Sequence, residues 1–562
     1  MTLVAIGPGS SEAAEHFYFA AAGNDGSSCA SPQSPCQSVE RANAMTYRPG
    51  DVISFHGGDR FSGCLLLDSR NVLGGGAASN PIVVGSYGLG RATLLSNCPG
   101  IHALVTIDGV SGVIVENLDL SANGTRTAIG LLIQNSIRNK IVETVIVRGN
   151  DIQGFNIDGS THYGAEIFVS GHATNGNCGA LNDIQITDNR LHGAEGSTSP
   201  DDNGITGFGC GHNITNVKYS GNEVFYIGGR ALAPGGTSGN GIIANGADGG
   251  EVSHNLVHDN GANAATCGGP AGIWAFHAAN IRIEFNEVYH MRPLPDYPGH
   301  GACDWAAFDL DSGVTASFVQ YNYSHDNAGP GLLGFTGERW GPNTFRYNIS
   351  ENDQTMMTGA SGSIAISHGG ISYVYNNTIV RSGTYTGSVP PACISLGLPG
   401  VYPAGTIIAN NMCINSMTDR LGRTRYLDAG SATDASAVTI ANNLYYNPEG
   451  NDHWNWLNVD YASLAAFKTA SGKDIGSSVG QPSVVGAGME GPCPWTPHLA
   501  NGPQPCPSGY ALKAHSAAIG TGLNLALAPY ALEPGSRDYY GTALPHHAGS
   551  GYNIGADGSS PY

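Results

Sequence analysis

From Val113 onward the chain repeats a short β-type run that closes on an asparagine: VIVEN at Asn117, VIVRGN at Asn150, IQITDN at Asn189, VKYSGN at Asn222, EVSHN at Asn255 and IRIEFN at Asn286. The series continues through Asn322, Asn348, Asn376, Asn410 and Asn442, at spacings of 26 to 39 residues. An asparagine after a strand can take a left-handed or turn conformation and bond locally. Stacked one coil above the next, such residues can also bond to each other. One repeat cannot bury its own apolar side, whereas stacked repeats share a core. Propeller blades would need four strands per repeat, and leucine-rich repeats need a leucine framework that is absent.

A second strand opens each coil. Five of these align: NGIIANG (240–246), AGIWAFH (271–277), AAFDLDS (306–312), GLLGFTGE (331–338) and GSIAISH (362–368). Strand alternation predicts Ile242, Ile273, Phe308, Leu333 and Ile364 inward, with Ala244, Ala275, Leu310, Phe335 and Ile366 behind them. The residues between are expected to face solvent, in columns reading Ile243, Trp274, Asp309, Gly334, Ala365 and Asn245, Phe276, Asp311, Thr336, Ser367.

Composition supports an all-β reading. Charged residues make up 12% of 562, against roughly 25% in an ordinary soluble domain, and glycine is abundant at 82. The net charge of −20 disfavours nucleic acid, and none is expected as a partner, because phosphate binding needs a basic surface. No apolar stretch reaches 18 residues, so no membrane insertion is expected. Twelve cysteines form an even set, many in near pairs (Cys29/Cys36, Cys64/Cys98, Cys178/Cys210, Cys267/Cys303, Cys393/Cys413, Cys493/Cys506), and no CxxC occurs. Disulfides in an oxidising compartment fit this best, secreted or periplasmic, with the connectivity open.

Segment 17–63, with its strand, G-N-D turn, short helix and P-G-D before a strand, resembles the N-terminal module of the right-handed parallel β-helix (pectin-lyase-like) superfamily of extracellular carbohydrate-active enzymes. ALKAHSAAIGTG (511–522) and YNIGADG (552–558) are similar to its closing segments. The resemblance implies an all-β solenoid of about eleven coils with capping segments at both ends. It divides the chain into a leader remnant (1–16), an N-terminal cap with the first coils (17–110), the catalytic β-helix (111–450) and a C-terminal closing segment (451–562). A helix is expected within 454–472.

Chemistry is expected where Asp309 and Asp311 leave one strand on one face. Residues two apart in a strand are about 6.6 Å apart at Cα. That suits a carboxyl pair with room for a water, and two like charges so close raise one pKa and supply the acid. Glu338, one coil on, offers the shorter separation of a retaining enzyme. His277 and His368 close neighbouring strands. The loop 292–305 brings Arg292, Tyr297, His300, Asp304 and Trp305 to one rim, with Cys303 able to pin it to Cys267. Arg339 and Trp340 stand on the far side. Together with Trp274 these aromatics suit stacking on sugar faces. His258 and His325, in matching H-D-N contexts, read as structural turns, with His325 kept as a minor acid/base or binding candidate. Glu166 is a candidate for a distant subsite.

The expected activity is glycoside hydrolysis of a polysaccharide or oligosaccharide, without a cofactor. The alternatives are a polysaccharide lyase, with calcium on Asp304, Asp309 and Asp311, and a non-catalytic glycan binder. No lysine occurs between Lys218 and Lys468, which rules out a lysine base near Asp309.

Overall fold

Short strands rich in Val, Ile and Leu bury alternate residues on the first sheet, as in Val145 and Val147 of Ile141–Arg148 or Ile184 and Ile186 of Ala180–Thr187, whereas second-sheet strands such as Ala165–Ser170 and Ala306–Leu310 are buried on both faces. The computed structural model describes residues 13–558 except 75, 77, 98–102, 126, 156–163, 173–175, 195–201, 230–237, 265–268, 294–303, 338, 357–361, 384, 386–391, 487–505 and 545–550. Three parallel sheets of 14 strands each form a β-helix. The first sheet runs from His16–Phe19 to Thr439–Ala441, the second from Leu65–Asp68 to Val459–Tyr461, and the third from Arg60–Ser62 to Ser478–Val479. Each coil passes through the second, first and third sheets in turn. The second sheet closes on an antiparallel hairpin, Asp452–Trp456 with Val459–Tyr461.

The core is a stack of like residues. On the second sheet one inward column reads Ile205, Ile242, Ile273, Phe308, Leu332, Ile364 and Ile394. Full burial of such side chains stabilises by about 1.5–3 kcal/mol each, a gain that exists only when coils stack. The column corrects the expected alignment by one residue, since Leu332 points inward and Leu333 outward. Both are apolar and both flanking positions are glycine, so hydrophobicity alone does not distinguish the two registers.

The asparagines sit at the tight corner between the first and third sheets. Side-chain amides bond coil to coil without a break from Asn150 through Asn189, Asn222, Asn255, Asn286, Asn322, Asn348, Asn377 and Asn411 to Asn443, at 2.9 to 3.1 Å. Each Oδ1 also accepts the backbone N–H of the previous ladder residue, as Asn286 does from Asn255. Asn117, Asn376, Asn410 and Asn442 were expected in this ladder but take the preceding corner position, with φ of 54°, 54°, 54° and 55°. His254, Phe285, Tyr321 and Tyr347 hold that left-handed position in other coils. The two roles are split between adjacent residues, and an N-N pair conceals which is which.

Outer asparagines tie down the closing segment. Asn376, Asn410 and Asn442 donate to the carbonyls of Asn553, Leu523 and Thr521. The expected helix is shorter than its segment, Leu464–Ser471, because 454–456 belongs to the last parallel strand. Ser463 caps its start, and its one buried residue, Phe467, packs on Trp454 and Trp456 at the end of the core.

Candidate functional site

Register places Asp309 directly between Trp274 on one neighbouring strand and Leu333 on the other. The outward column therefore reads Ile243, Trp274, Asp309, Leu333, Ala365 and Ser395. It does not face open solvent as expected. Ile243, Ala271, Trp274, Ala306, Leu333 and Ala365 form a buried apolar cluster of their own, with Phe276 and Phe335 at its edge. Asp309 is 6% exposed within this cluster.

That environment decides its chemistry. Burial pushes the Asp309 carboxyl well above its ordinary value, with Asp311 and Asp304 adding like-charge repulsion against a small opposing effect of the Phe335 backbone. Its Oδ1 has no hydrogen-bond partner among the described residues. Asp311, two residues on, is half-buried, and burial with repulsion from Asp304 raises it to about 6 despite an N–H from Ser312. Asp304 accepts from the Gly269 backbone at 2.7 Å. Two carboxyls of unequal acidity thus stand two residues apart at the end of the strand Ala306–Leu310. This is the requirement for paired acid and base work.

Other candidates are distributed unevenly. His277 and His368 are exposed, at φ of 44° and 64°, and lie against the two edge phenylalanines: His277 stacks on Phe276 at 3.9 Å and His368 meets Phe335 edge-on at 4.9 Å. The His277 N–H donates to the Ser312 carbonyl, which ties it to the end of the aspartate strand. Arg292 and Arg339 are exposed. Trp340 is half-buried, and its Nε1 donates to Ser372 Oγ at 3.2 Å.

Three expectations are corrected. Trp305 is core, 4% exposed, with its Nε1 donating to the Gly261 carbonyl, so it forms no part of a rim. His325 lies on the third sheet, 1% exposed, between Glu287 and Asp326, which raise it to about 9. Glu166 is buried, accepts from the Phe155 N–H, and is raised by desolvation. Glu338, His300 and Tyr297, and the Cys267/Cys303 pair, lie outside the described residues. Phe335, expected inward, shares the outward column of Phe276 because of the one-residue shift at Leu332.

Among the described residues the group whose ligand atoms all lie within 4.8 Å is His172, Cys178 and Cys210. Those two cysteines are joined in a disulfide, as are Cys29 with Cys36 and Cys393 with Cys413. No helix among the described residues is long and apolar enough to cross a membrane.

No protein-family model matches the chain, and no curated protein matches it. Among solved structures, the native GH136 lacto-N-biosidase from Eubacterium ramulus is similar with a TM-score of 0.50 and 20% identity, over 67% of this chain and 65% of that one. The alignment thus spans about two thirds of the neighbour's length. Its selenomethionine derivative gives 0.48 and 19%, over 68% of each chain. Pectate lyase Pel9A aligns over 98% of this chain and 97% of its own, at 13% identity and a TM-score of 0.40. What this similarity establishes is the architecture, and the chain is a right-handed parallel β-helix.

Proposed function

We propose that the chain is a secreted or periplasmic glycoside hydrolase acting on a polysaccharide or oligosaccharide, with Asp309 as general acid and Asp311 as general base. The single observation that carries this reading is the inequality of the two carboxyls. Asp309, 6% exposed among apolar side chains, has its carboxyl pushed well above its ordinary value by burial, whereas Asp311, half-buried, is raised only to about 6. A weaker acid two residues from a stronger one is the pairing that cleavage of an acetal by water uses. Asp309 protonates the departing glycosidic oxygen while Asp311 takes a proton from the attacking water. The net reaction adds water across the bond and returns both carboxyls to their starting states after proton exchange.

Alternate positions on one strand stand about 6.6 Å apart at Cα, which fits the wider carboxyl separation of an inverting enzyme. The structural neighbour is itself described as a GH136 lacto-N-biosidase, and at 20% identity it contributes the fold and not the reaction.

A panel of polysaccharides and oligosaccharides scored for both new reducing ends and unsaturated-uronate absorbance tests the reading. Reducing ends without unsaturation are expected. Unsaturated products would assign β-elimination instead, and binding without either product would assign a glycan-binding protein.

A further inference from the structure

One column to the side of Asp309, register stacks Ser170, Phe208, Asn245 and Phe276 on successive coils. Asp311 follows Leu310 into the same column, its N–H bonded to the Ala275 carbonyl, and Phe335 and Ser367 continue it. Aromatic and polar residues therefore alternate along the helix axis. Phe208, Phe276 and Phe335 recur every second coil, about 9.6 Å apart at about 4.8 Å per coil. All three are half-buried, and each carries an exposed histidine at its side: His172 at 5.2 Å, His277 at 3.9 Å and His368 at 4.9 Å. Of the polar positions between, Ser367 is fully buried with its Oγ unpartnered among the described residues.

We infer that this column is a binding track for a neutral, β-1,4-linked glycan lying along the helix axis, one disaccharide to every two coils. The inference rests on the glycosidase reading for the position of the cut and on the column alone for the ligand. In a flat 1,4-diequatorial ribbon successive sugars are turned over, so the same apolar face returns once per disaccharide. A wall that offers an aromatic ring every second coil matches that repeat. Asn245 and Asp311, half-buried in the alternate coils, meet the edge hydroxyls of the intervening sugars, while Ser170 and Ser367 are buried. Charge selects against a uronate polymer: the column contains Asp311, is adjoined by Asp304, and holds no lysine or arginine. Asp311 sits between Phe276 and Phe335, so a bound chain extends past the cut on both sides, which is the arrangement of an endo-acting enzyme.

The test is calorimetric titration of an Asp309→Asn/Asp311→Asn protein with cello-, manno-, xylo- and chito-hexaose, the matching disaccharides, and hexagalacturonate. One neutral hexasaccharide is expected to bind at least tenfold more tightly than its disaccharide. Phe208→Ala, three coils from Asp311, is expected to weaken that hexasaccharide about tenfold and leave the disaccharide unchanged, while Phe208→Tyr restores binding and shows that the fold is intact. Preference for hexagalacturonate, no binding of any hexasaccharide, or an unaltered affinity in both Phe208→Ala and Phe335→Ala would overturn the track. Wild-type turnover on the same sugars separates the two readings. Hydrolysis with an unchanged KM in Phe208→Ala removes the track and leaves the glycosidase. Phenylalanine-dependent binding without hydrolysis removes the glycosidase and supports the track.

Discussion

Trp274 and Asp309 stand opposite each other on adjacent strands, each 6% exposed, and neither Trp274 Nε1 nor Asp309 Oδ1 has a hydrogen-bond partner among the described residues. A buried polar atom left unpaired costs about 1–3 kcal/mol. Two side by side on one sheet, in a chain whose asparagine amides are bonded coil after coil, mark a place where stability is given up. A sugar oxygen brought to this point meets the Trp274 N–H and the Asp309 carboxyl together.

The split between the two carboxyls has a kinetic signature. Asp311 must be ionised to act, so activity falls as pH drops below about 6; Asp309 must be protonated, so activity also falls as pH rises through its raised value. Asp309→Asn removes the acid, and a leaving group that needs no proton bypasses the loss. That variant should lose at least about 100-fold on a natural glycan yet keep most of its rate on a dinitrophenyl glycoside. Asp311→Asn should be inactive on both. Equal losses for the two variants on both substrates would remove the assignment of roles.

Asp309 should also weaken the fold as pH rises. Its folded-state value lies above its unfolded one, so its contribution to stability is fully present below the unfolded value near 3.8 and is lost as pH climbs through the folded value. Asp309→Asn has no such dependence. The variant should melt higher than wild type by an amount that grows between pH 4 and pH 8, on the order of 2 °C at the upper end. Thermal melts across that range check this, and a constant difference would mean that Asp309 ionises as freely folded as unfolded.

On the third sheet His325 gives the same test with its own window. Clamped by Asp326 and Glu287 from two coils and raised to about 9, it contributes fully below 6.5, and the contribution is lost as pH rises through about 9. His325→Gln should cost about 2 kcal/mol at pH 6, the scale of a hydrogen bond to a charged group, and much less above pH 9. Denaturant titrations at the two pH values give the comparison.

The asparagine ladder should be costly to interrupt. Asn286 donates to Asn322 Oδ1 and the Val252 carbonyl, and accepts from Asn255. Asn286→Ala leaves several of these groups unpaired in a buried corner and should cost about 2–4 kcal/mol. Asn376→Ala, which touches the closing segment and not the ladder, should cost less. Equilibrium unfolding of the two variants ranks them.

Much of this was legible in the sequence wherever side-chain type and position coincide. The strands at 240–246, 271–277, 306–312 and 362–368 alternate cleanly, and their registers are those observed. The segment 331–338 slipped by one because Leu332 and Leu333 fit either face equally. Asn376, Asn410 and Asn442 each precede a second asparagine, and which of the two enters the ladder depends on backbone φ that composition does not reveal. The burial around Asp309 was not legible at all, because it comes from Ile243, Leu333 and Ala365, which are neighbours only once the coils stack. Trp305 shows the converse. A tryptophan beside acidic residues looks like a sugar platform, and its burial beneath Gly261 is set by a residue 44 positions away.

The most direct measurement is the rate of reducing-end release by wild type, Asp309→Asn, Asp311→Asn and the double variant on a glycan that the wild type cleaves. With one acid and one base acting as a unit, each single variant should lose at least about 100-fold and the double variant little more than the worse single. Wild-type rates in the double variant would contradict the account and place the chemistry elsewhere on the solenoid.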